Sequence, residues 1–100
     1  MLKVVERVLK FRDERGWKKY HNPKDLAASI VIEASELLEI FQWVSEEESY
    51  EEARRNIERV KEEVADILIY LIYLADVLQI DLEEAVIEKL KKNEEKYPIR

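Results

Sequence analysis

The chain has 100 residues and a formal net charge of −6, from 17 Lys and Arg against 23 Asp and Glu. This length predicts one domain over residues 1–100 and argues against a multidomain enzyme. The acidic total argues against nucleic acid as a partner, because nucleic-acid-binding modules normally present a basic surface to phosphates. Cysteine is absent, which excludes disulfides, thiolate zinc sites and cysteine nucleophiles. Because the first residues also carry charge rather than an apolar leader core, we expect a cytoplasmic protein.

One Gly, two Pro and 40% charged residues leave little material for tight turns, so the composition predicts an all-α fold. A first helix is expected over residues 2–15, ended by Gly16, which adopts a left-handed conformation without cost. A second helix is predicted from Pro23 to about Val44, with Asn22 as its N-cap.

The second half of the chain predicts two more helices, which makes a four-helix arrangement. Two consecutive capping-box patterns, SEEE and SYEE, indicate an acidic turn before a third helix from about Tyr50 to Leu78. A fourth helix is expected to begin at Asp81 and to be closed by Pro98.

Within the third helix, residues 64–80 are apolar on almost every side. Asp66 and Asp76 interrupt this segment, and it is slightly short for a bilayer, so we expect no membrane span. A helix that is apolar all round must be surrounded by protein, and the other helices of one chain cover only part of it. We therefore expect a second subunit to cover the remainder.

Inward-facing carboxylates are the candidate functional groups of this chain. At about 100° per residue, Glu33 falls within the apolar face of the second helix and Glu36 lies at its edge. Glu63 and Asp66 repeat this spacing of three in the third helix. Antiparallel packing would bring four carboxylates together, where they would raise one another's pKa unless a cation neutralised them. Oxygen ligands without His or Cys favour Mg²⁺ or Mn²⁺, with Ca²⁺ as a substitute.

Two other interpretations of these acids stay open. Glutamates most often lie on solvated helix faces, so the chain could be a non-catalytic helical dimerisation or interaction module. A di-iron carboxylate bundle is the other alternative, but it needs Glu-x-x-His, and the single histidine, His21, lies in a predicted loop.

The segments EASELLEIFQW and EEVADILIYL resemble the paired EExxE and ExxD signatures of the MazG-like nucleoside triphosphate pyrophosphohydrolases, in the all-α NTP pyrophosphatase superfamily. The resemblance covers residues 11–98 and is closest to the small single-domain branch that includes the dCTP pyrophosphatases. It implies a single MazG-like helical domain that assembles into a homodimer or homotetramer. It also implies hydrolysis of Mg²⁺-bound (d)NTPs to (d)NMP and pyrophosphate, as clearance of noncanonical or surplus nucleotides.

The resemblance also assigns roles to residues. The implied metal ligands are Glu33, Glu36, Glu63 and Asp66. Either Glu33 or Glu36 would act as the catalytic base that takes the proton of the attacking water. The tail KLKKNEEKYP is similar to the family's phosphate-contacting end, in which the corresponding residues here are Lys89, Asn93 and Lys96. These three share one helical face and could donate to a polyphosphate.

An aromatic base pocket is the last feature that the resemblance implies, with Trp17, Trp43 and Tyr70 in matching places. Trp43 follows Glu36 by seven residues, as Tyr70 follows Glu63, so each should share a helix face with a ligand. Aromatic rings at those positions could stack a nucleobase. His21 is a further base-pocket candidate. Val8 stands where some dCTP-preferring relatives offer a polar group, which leaves the preferred base open.

Overall fold

A computed structural model describes residues 1–99, which are helical apart from short connections. Its five α-helices are α1 (Leu2–Glu14), α2 (Pro23–Glu39), α3 (Ser49–Arg55), α4 (Ile57–Val77) and α5 (Leu82–Lys96). A 3₁₀ helix, Trp17–Tyr20, joins α1 to α2. The predicted all-α class is confirmed.

Capping residues act at three of the predicted helix ends. Gly16 has a φ of 65° just beyond α1, the left-handed geometry expected of the residue that ends a helix. The side chain of Asn22 accepts a hydrogen bond from the backbone N–H of Asp25 at 2.9 Å and so caps α2. Asp81 caps α5 in the same way, accepting from the N–H of Glu84 at 3.0 Å.

The prediction that the second helix reaches Val44 is wrong, since α2 ends at Glu39. The N–H groups of Ile40 and Phe41 bond to carbonyls three residues back, which tightens the last turn and ends the helix. Ile40 is buried and holds this turn against the core.

The predicted single helix from Tyr50 to Leu78 is also wrong, because the helix is interrupted at Asn56. The backbone there leaves helical geometry, with φ −115° and ψ 30°. The side-chain amide of Asn56 donates to the carbonyl oxygen of Glu52 at 2.9 Å and to its Oε1 at 3.0 Å. Local bonds of this kind compete with helix continuation. The four predicted helices are therefore five, with α3 and α4 in place of one.

The packing of α2 against α4 is the most extensive contact in the described part of the chain. The two helices run antiparallel, since Glu39 pairs with Arg59 at 3.4 Å near one end and His21 stacks on Tyr73 near the other. α1 lies along α4 and is anchored by Arg12, which is only 2% exposed and pairs with an aspartate of α4, Asp76, at 2.6 Å.

α5 leaves this group of helices. It makes no extensive contact with any other helix of residues 1–99, and it contains no buried residue. Gln79, which lies between α4 and α5, has a positive φ of 56°. The N–H of the next residue, Ile80, closes the end of α4 by bonding to the carbonyl of Ala75 at 2.8 Å.

The hydrophobic core of the single chain is small. Its buried members are Leu26, Ile40, Ile72, Tyr73 and Ala75. Large apolar side chains on every α-helix are exposed, among them Leu2, Val31, Tyr50, Val64 and Leu90. Within residues 1–99, no helix combines the length and the hydropathy that crossing a membrane requires.

Candidate active site

Three carboxylates converge where α2 faces α4. Glu33 and Glu36 lie on one face of α2, as their spacing of three predicts, and Glu63 meets them from α4. One oxygen from each of the three lies within 4.8 Å of the others. All three side chains are half-buried, so their charges are only partly solvated. The arrangement presents several oxygen donors to one point.

Two of these oxygens are buried and have no hydrogen-bond partner within residues 1–99. They are Oε2 of Glu33 and Oε2 of Glu63, one from each helix. A buried carboxylate oxygen without a partner is costly and calls for an explanation. A hard divalent cation would supply it, because such ions take carboxylate oxygens and need no His or Cys. The donor set therefore fits a metal ion, although the side chains do not distinguish Mg²⁺ from Mn²⁺ or Ca²⁺.

Glu33 and Glu63 have raised pKa values. Burial, followed by the neighbouring Glu36, raises the pKa of Glu33 to about 7. Burial and Glu36 also raise the pKa of Glu63. Without a cation the raised pKa values favour protonation of the cluster, whereas a bound cation would favour full ionisation.

Asp66, the fourth predicted ligand, lies beside the three-carboxylate cluster rather than within it. Its charge contributes to the raised pKa of both Glu33 and Glu63, so it is close to them. Asp66 also lines a neighbouring cavity of about 430 Å³. It thus connects the acidic cluster to the cavity.

This cavity is bounded mainly by aromatic and aliphatic side chains from α1, the 3₁₀ helix and α4. The lining residues are Arg7, Val8, Phe11, Trp17, Asp66, Ile69, Tyr70 and Tyr73. Trp17 meets Phe11 edge to face at 5.5 Å between ring centroids, and Tyr70 meets Tyr73 in the same way at 6.0 Å. A concave, largely apolar space with a few polar groups is typical of a small-molecule site.

Two of the predicted base-pocket residues, Trp17 and Tyr70, line this cavity. The sequence interpretation did not include Phe11, Tyr73 or Arg7 among them. Phe11 lies one turn of α1 from Val8, and Tyr73 one turn of α4 from Tyr70, so helical spacing would have found these two once the contact between α1 and α4 was known.

His21 lies behind the cavity wall. Its ring stacks on Tyr73 with centroids 4.6 Å apart and a tilt of 37°. Its Nδ1 is buried and has no partner within residues 1–99. Burial, and then the charge of Arg12, lowers the pKa of His21, which favours the neutral imidazole. His21 is thus placed to support the ring of Tyr73.

Trp43 does not line the cavity, and its side chain is 88% exposed. The premise that it shares a helix face with Glu36 is wrong, because α2 ends before it at Glu39. The structure leaves its predicted role as a base-binding residue without a contact in the single chain.

The three predicted phosphate-binding residues lie on α5. Lys89 and Lys96 are exposed, whereas Asn93 is half-buried. Because α5 does not pack extensively on α2 or α4, the described part of one chain does not bring these residues together with the carboxylates.

Comparison with known proteins gives one consistent result. The MazG-like family matches residues 28–100. The chain is 42% identical over 91 residues to dCTP pyrophosphatase 1 of Rattus norvegicus, covering 89% of this chain and 54% of that protein. The human protein of the same name is 39% identical over 90 residues, covering 88% of this chain and 53% of the relative. The chain thus spans about half the length of the curated relatives it matches.

A solved structure, that of a pyrophosphatase from Archaeoglobus fulgidus, superimposes with a TM-score of 0.94 at 53% sequence identity. The match covers 99% of this chain and 93% of that one. The sequence resemblance is confirmed, and the chain belongs to the MazG-like family.

Proposed function

We propose that this protein is a nucleoside triphosphate pyrophosphohydrolase that converts (d)NTPs to (d)NMPs and pyrophosphate, clearing noncanonical or surplus nucleotides. The observation that carries the proposal is the pair of buried, unpartnered oxygens of Glu33 and Glu63, next to an aromatic cavity. Two relatives, dCTP pyrophosphatase 1 of Rattus norvegicus and a pyrophosphatase from Archaeoglobus fulgidus, bear names that describe chemistry of this class. Residues 1–100 act as one domain in this proposal.

The proposed cofactor is Mg²⁺, with Mn²⁺ as an alternative, held by Glu33, Glu36 and Glu63 and completed by Asp66. When bound, the ion supplies positive charge that neutralises the phosphates and stabilises the charge developing on pyrophosphate as it leaves. The oxygen-only donor set and the two unpartnered oxygens support this assignment.

Side chains of the protein bind the base, orient the triphosphate and accept the proton of the attacking water. Trp17 and Tyr70 hold the base by stacking in the cavity. Asp66 lies where the cavity meets the acids, so a base in the cavity directs the triphosphate toward Glu33 and Glu36. A water oxygen attacks phosphorus, the anhydride bond to pyrophosphate breaks, and Glu33 or Glu36 takes the proton of the water.

An assembly of identical chains is part of the proposal, either a homodimer or a homotetramer in the cytoplasm. The exposed apolar residues and the unpacked α5 support it, because soluble proteins rarely leave large apolar patches uncovered. In the assembly, Lys89, Asn93 and Lys96 hold the polyphosphate and Trp43 contacts the base.

Product analysis tests the proposed function. Protein dialysed against EDTA is incubated with a panel of dNTPs and NTPs, with and without Mg²⁺, and both pyrophosphate and monophosphate are quantified. We expect the two products in equal amounts and only with the metal. Glu36→Gln should be inactive, while Glu94→Gln, which removes an exposed charge on α5, should behave as wild type. Release of single phosphates, or no hydrolysis of any nucleotide, would contradict the proposal; the second result would favour a non-catalytic interaction module.

A further inference from the structure

We propose that Arg7 selects the base of the substrate, favouring bases that present two adjacent hydrogen-bond acceptors, cytosine and guanine, over adenine, thymine and uracil. The inference rests on the proposed function, because it takes the aromatic cavity to be the place where the base binds.

Arg7 is the one cationic side chain among the described residues that line the cavity. Asp66, which lies next to the acidic cluster, is the only other charged lining group within residues 1–99. The remaining lining is aromatic or aliphatic, apart from the hydroxyl groups of the two tyrosines and the N–H of Trp17. A base stacked in this cavity therefore meets one strong group of hydrogen-bond donors, the guanidinium of Arg7.

Within the described part of the chain, the guanidinium of Arg7 makes no bond to another side chain or carbonyl, unlike those of Arg12 in α1 and Arg15 just after it. Arg12 is bound to Asp13 at 2.9 Å and to Asp76 at 2.6 Å. Arg15 donates to the carbonyl of Phe11 at 2.9 Å and lies over its ring at 3.5 Å from the centroid. Within residues 1–99, Arg7 takes part in no such hydrogen bond or ion pair, so its donors are available to a ligand.

The chemistry of the guanidinium determines which bases it accepts. It is a planar fork of N–H donors without an acceptor, and it fits two acceptors side by side. Guanine offers such a pair at O6 and N7, the pair that arginine reads in DNA, and cytosine offers O2 and N3. In adenine an amino donor stands beside N7 and N1, and in thymine and uracil an N–H separates the two carbonyls. Each of these bases would either place an N–H donor opposite the N–H groups of Arg7 or leave one of those groups without an acceptor. Either mismatch lowers kcat/KM for the disfavoured base.

Steady-state kinetics on four dNTPs tests the assignment in wild type, Arg7→Gln, Arg7→Lys and Lys10→Gln. Lys10→Gln is the matched control, since Lys10 is an exposed cation of the same helix and does not line the cavity. We expect kcat/KM of wild type to favour dCTP and dGTP over dATP and dTTP by about tenfold or more. This ratio should approach one in both Arg7 variants and stay at the wild-type value in Lys10→Gln. Arg7→Lys keeps the charge but not the paired N–H donors, so loss of the preference for dCTP and dGTP in this variant would support recognition of the base by Arg7.

Each contrary result has a distinct meaning. A wild-type enzyme without the preference, or an unchanged ratio in Arg7→Gln, overturns the assignment and leaves the proposed function intact. An equal loss on all four dNTPs in Arg7→Gln, restored by Arg7→Lys, assigns Arg7 to the phosphates and also overturns it. No hydrolysis of any nucleotide by wild type overturns the proposed function, and the assignment of Arg7 with it.

Discussion

The paired helices α2 and α4 differ from α5 in what holds them in place. α2 and α4 pack along their lengths around the buried side chains of Leu26 and Ile72, and this contact brings Glu33 and Glu63 together. α5 buries no residue and leaves Val86 56% exposed. One chain thus positions the acidic cluster by itself, whereas the proposed phosphate-binding residues need further packing. We expect metal binding and phosphate binding to be separable by mutation.

The largest effect should come from removing a carboxylate of the cluster between α2 and α4. Glu63→Gln is expected to lower turnover by more than about 100-fold, because a proposed metal ligand is lost. The same variant should be more stable than wild type in EDTA, since a neutral side chain relieves repulsion among the clustered acids. Asp66→Asn should behave in the same way.

Pyrophosphate release and thermal melts, each in EDTA and in Mg²⁺, measure both effects. Glu58→Gln is the control, because it removes an exposed charge from the same helix. If the wild-type melting temperature did not rise with Mg²⁺, the carboxylate cluster would not be a metal site.

A smaller effect is expected on the α5 side. Lys89→Ala or Asn93→Ala should lower kcat/KM for all nucleotides alike, by about 1.5 to 3 kcal/mol for each charge-assisted hydrogen bond, because phosphates are common to every substrate. The gain in melting temperature with Mg²⁺ alone should be unchanged. Lys91→Ala, on another face of α5, is the matched control. A change in the ranking of bases would argue that these residues do not contact phosphate.

Assembly should depend on α5 as well. We expect wild type to sediment above 12.0 kDa at micromolar concentration, and Leu90→Gln to weaken that association, because Leu90 is an apolar side chain that is 53% exposed in one chain. Ile99→Gln, near the chain end, is a milder comparison. A well-folded wild-type monomer at micromolar concentration would contradict the expected oligomer.

The smallest expected effect is a pH dependence of stability confined to the acidic cluster. Glu33 has a pKa of about 7 in the folded chain, above its ordinary value of 4.5, because of burial and the neighbouring Glu36, Glu63 and Asp66. The folded state therefore binds a proton between these two pH values that the unfolded state has released, so the free energy of unfolding falls as pH rises from 4.5 to 7. Above pH 7 the penalty is complete, and below 4.5 it is absent.

Thermal melts in EDTA between pH 5 and pH 8, compared for wild type and Glu33→Gln, test this dependence for Glu33 together with Glu63, whose pKa depends on Glu33. The difference between the two should grow with pH, while the lowered pKa of His21 affects both proteins equally and cancels. Parallel curves would show that Glu33 does not titrate in this range.

Local chemistry made much of the fold predictable from sequence. Gly16, Asn22 and Asp81 act through their own backbone or the adjacent turn, and each lies where its pattern predicted. The position of Glu33 in the apolar face of its helix likewise predicted that it would meet acids from the facing helix. The apolar periodicity continues on both sides of Asn56 and gives no sign of the interruption, which comes from a side chain that bonds to the carbonyl of Glu52 one turn earlier.

Features that depend on tertiary packing were harder to predict from the sequence. Arg7 and Tyr73 become neighbours of one cavity only because α1 lies along α4, and no spacing within either helix encodes that contact. Trp43 was placed by extending helical periodicity past the turn that Ile40 fixes in the core.

The left-handed backbone at Gln79 has a mechanical consequence. α5 leaves through this connection, and its 15 residues form a rigid rod about 22 Å long. A rotation of about 10° at the connection would move the far end, near Lys96, by about 4 Å, more than the length of a hydrogen bond. The reach of the arm that carries the proposed phosphate-binding lysines is therefore governed by a few backbone angles, in a position where side chains other than glycine are disfavoured by about 1 kcal/mol.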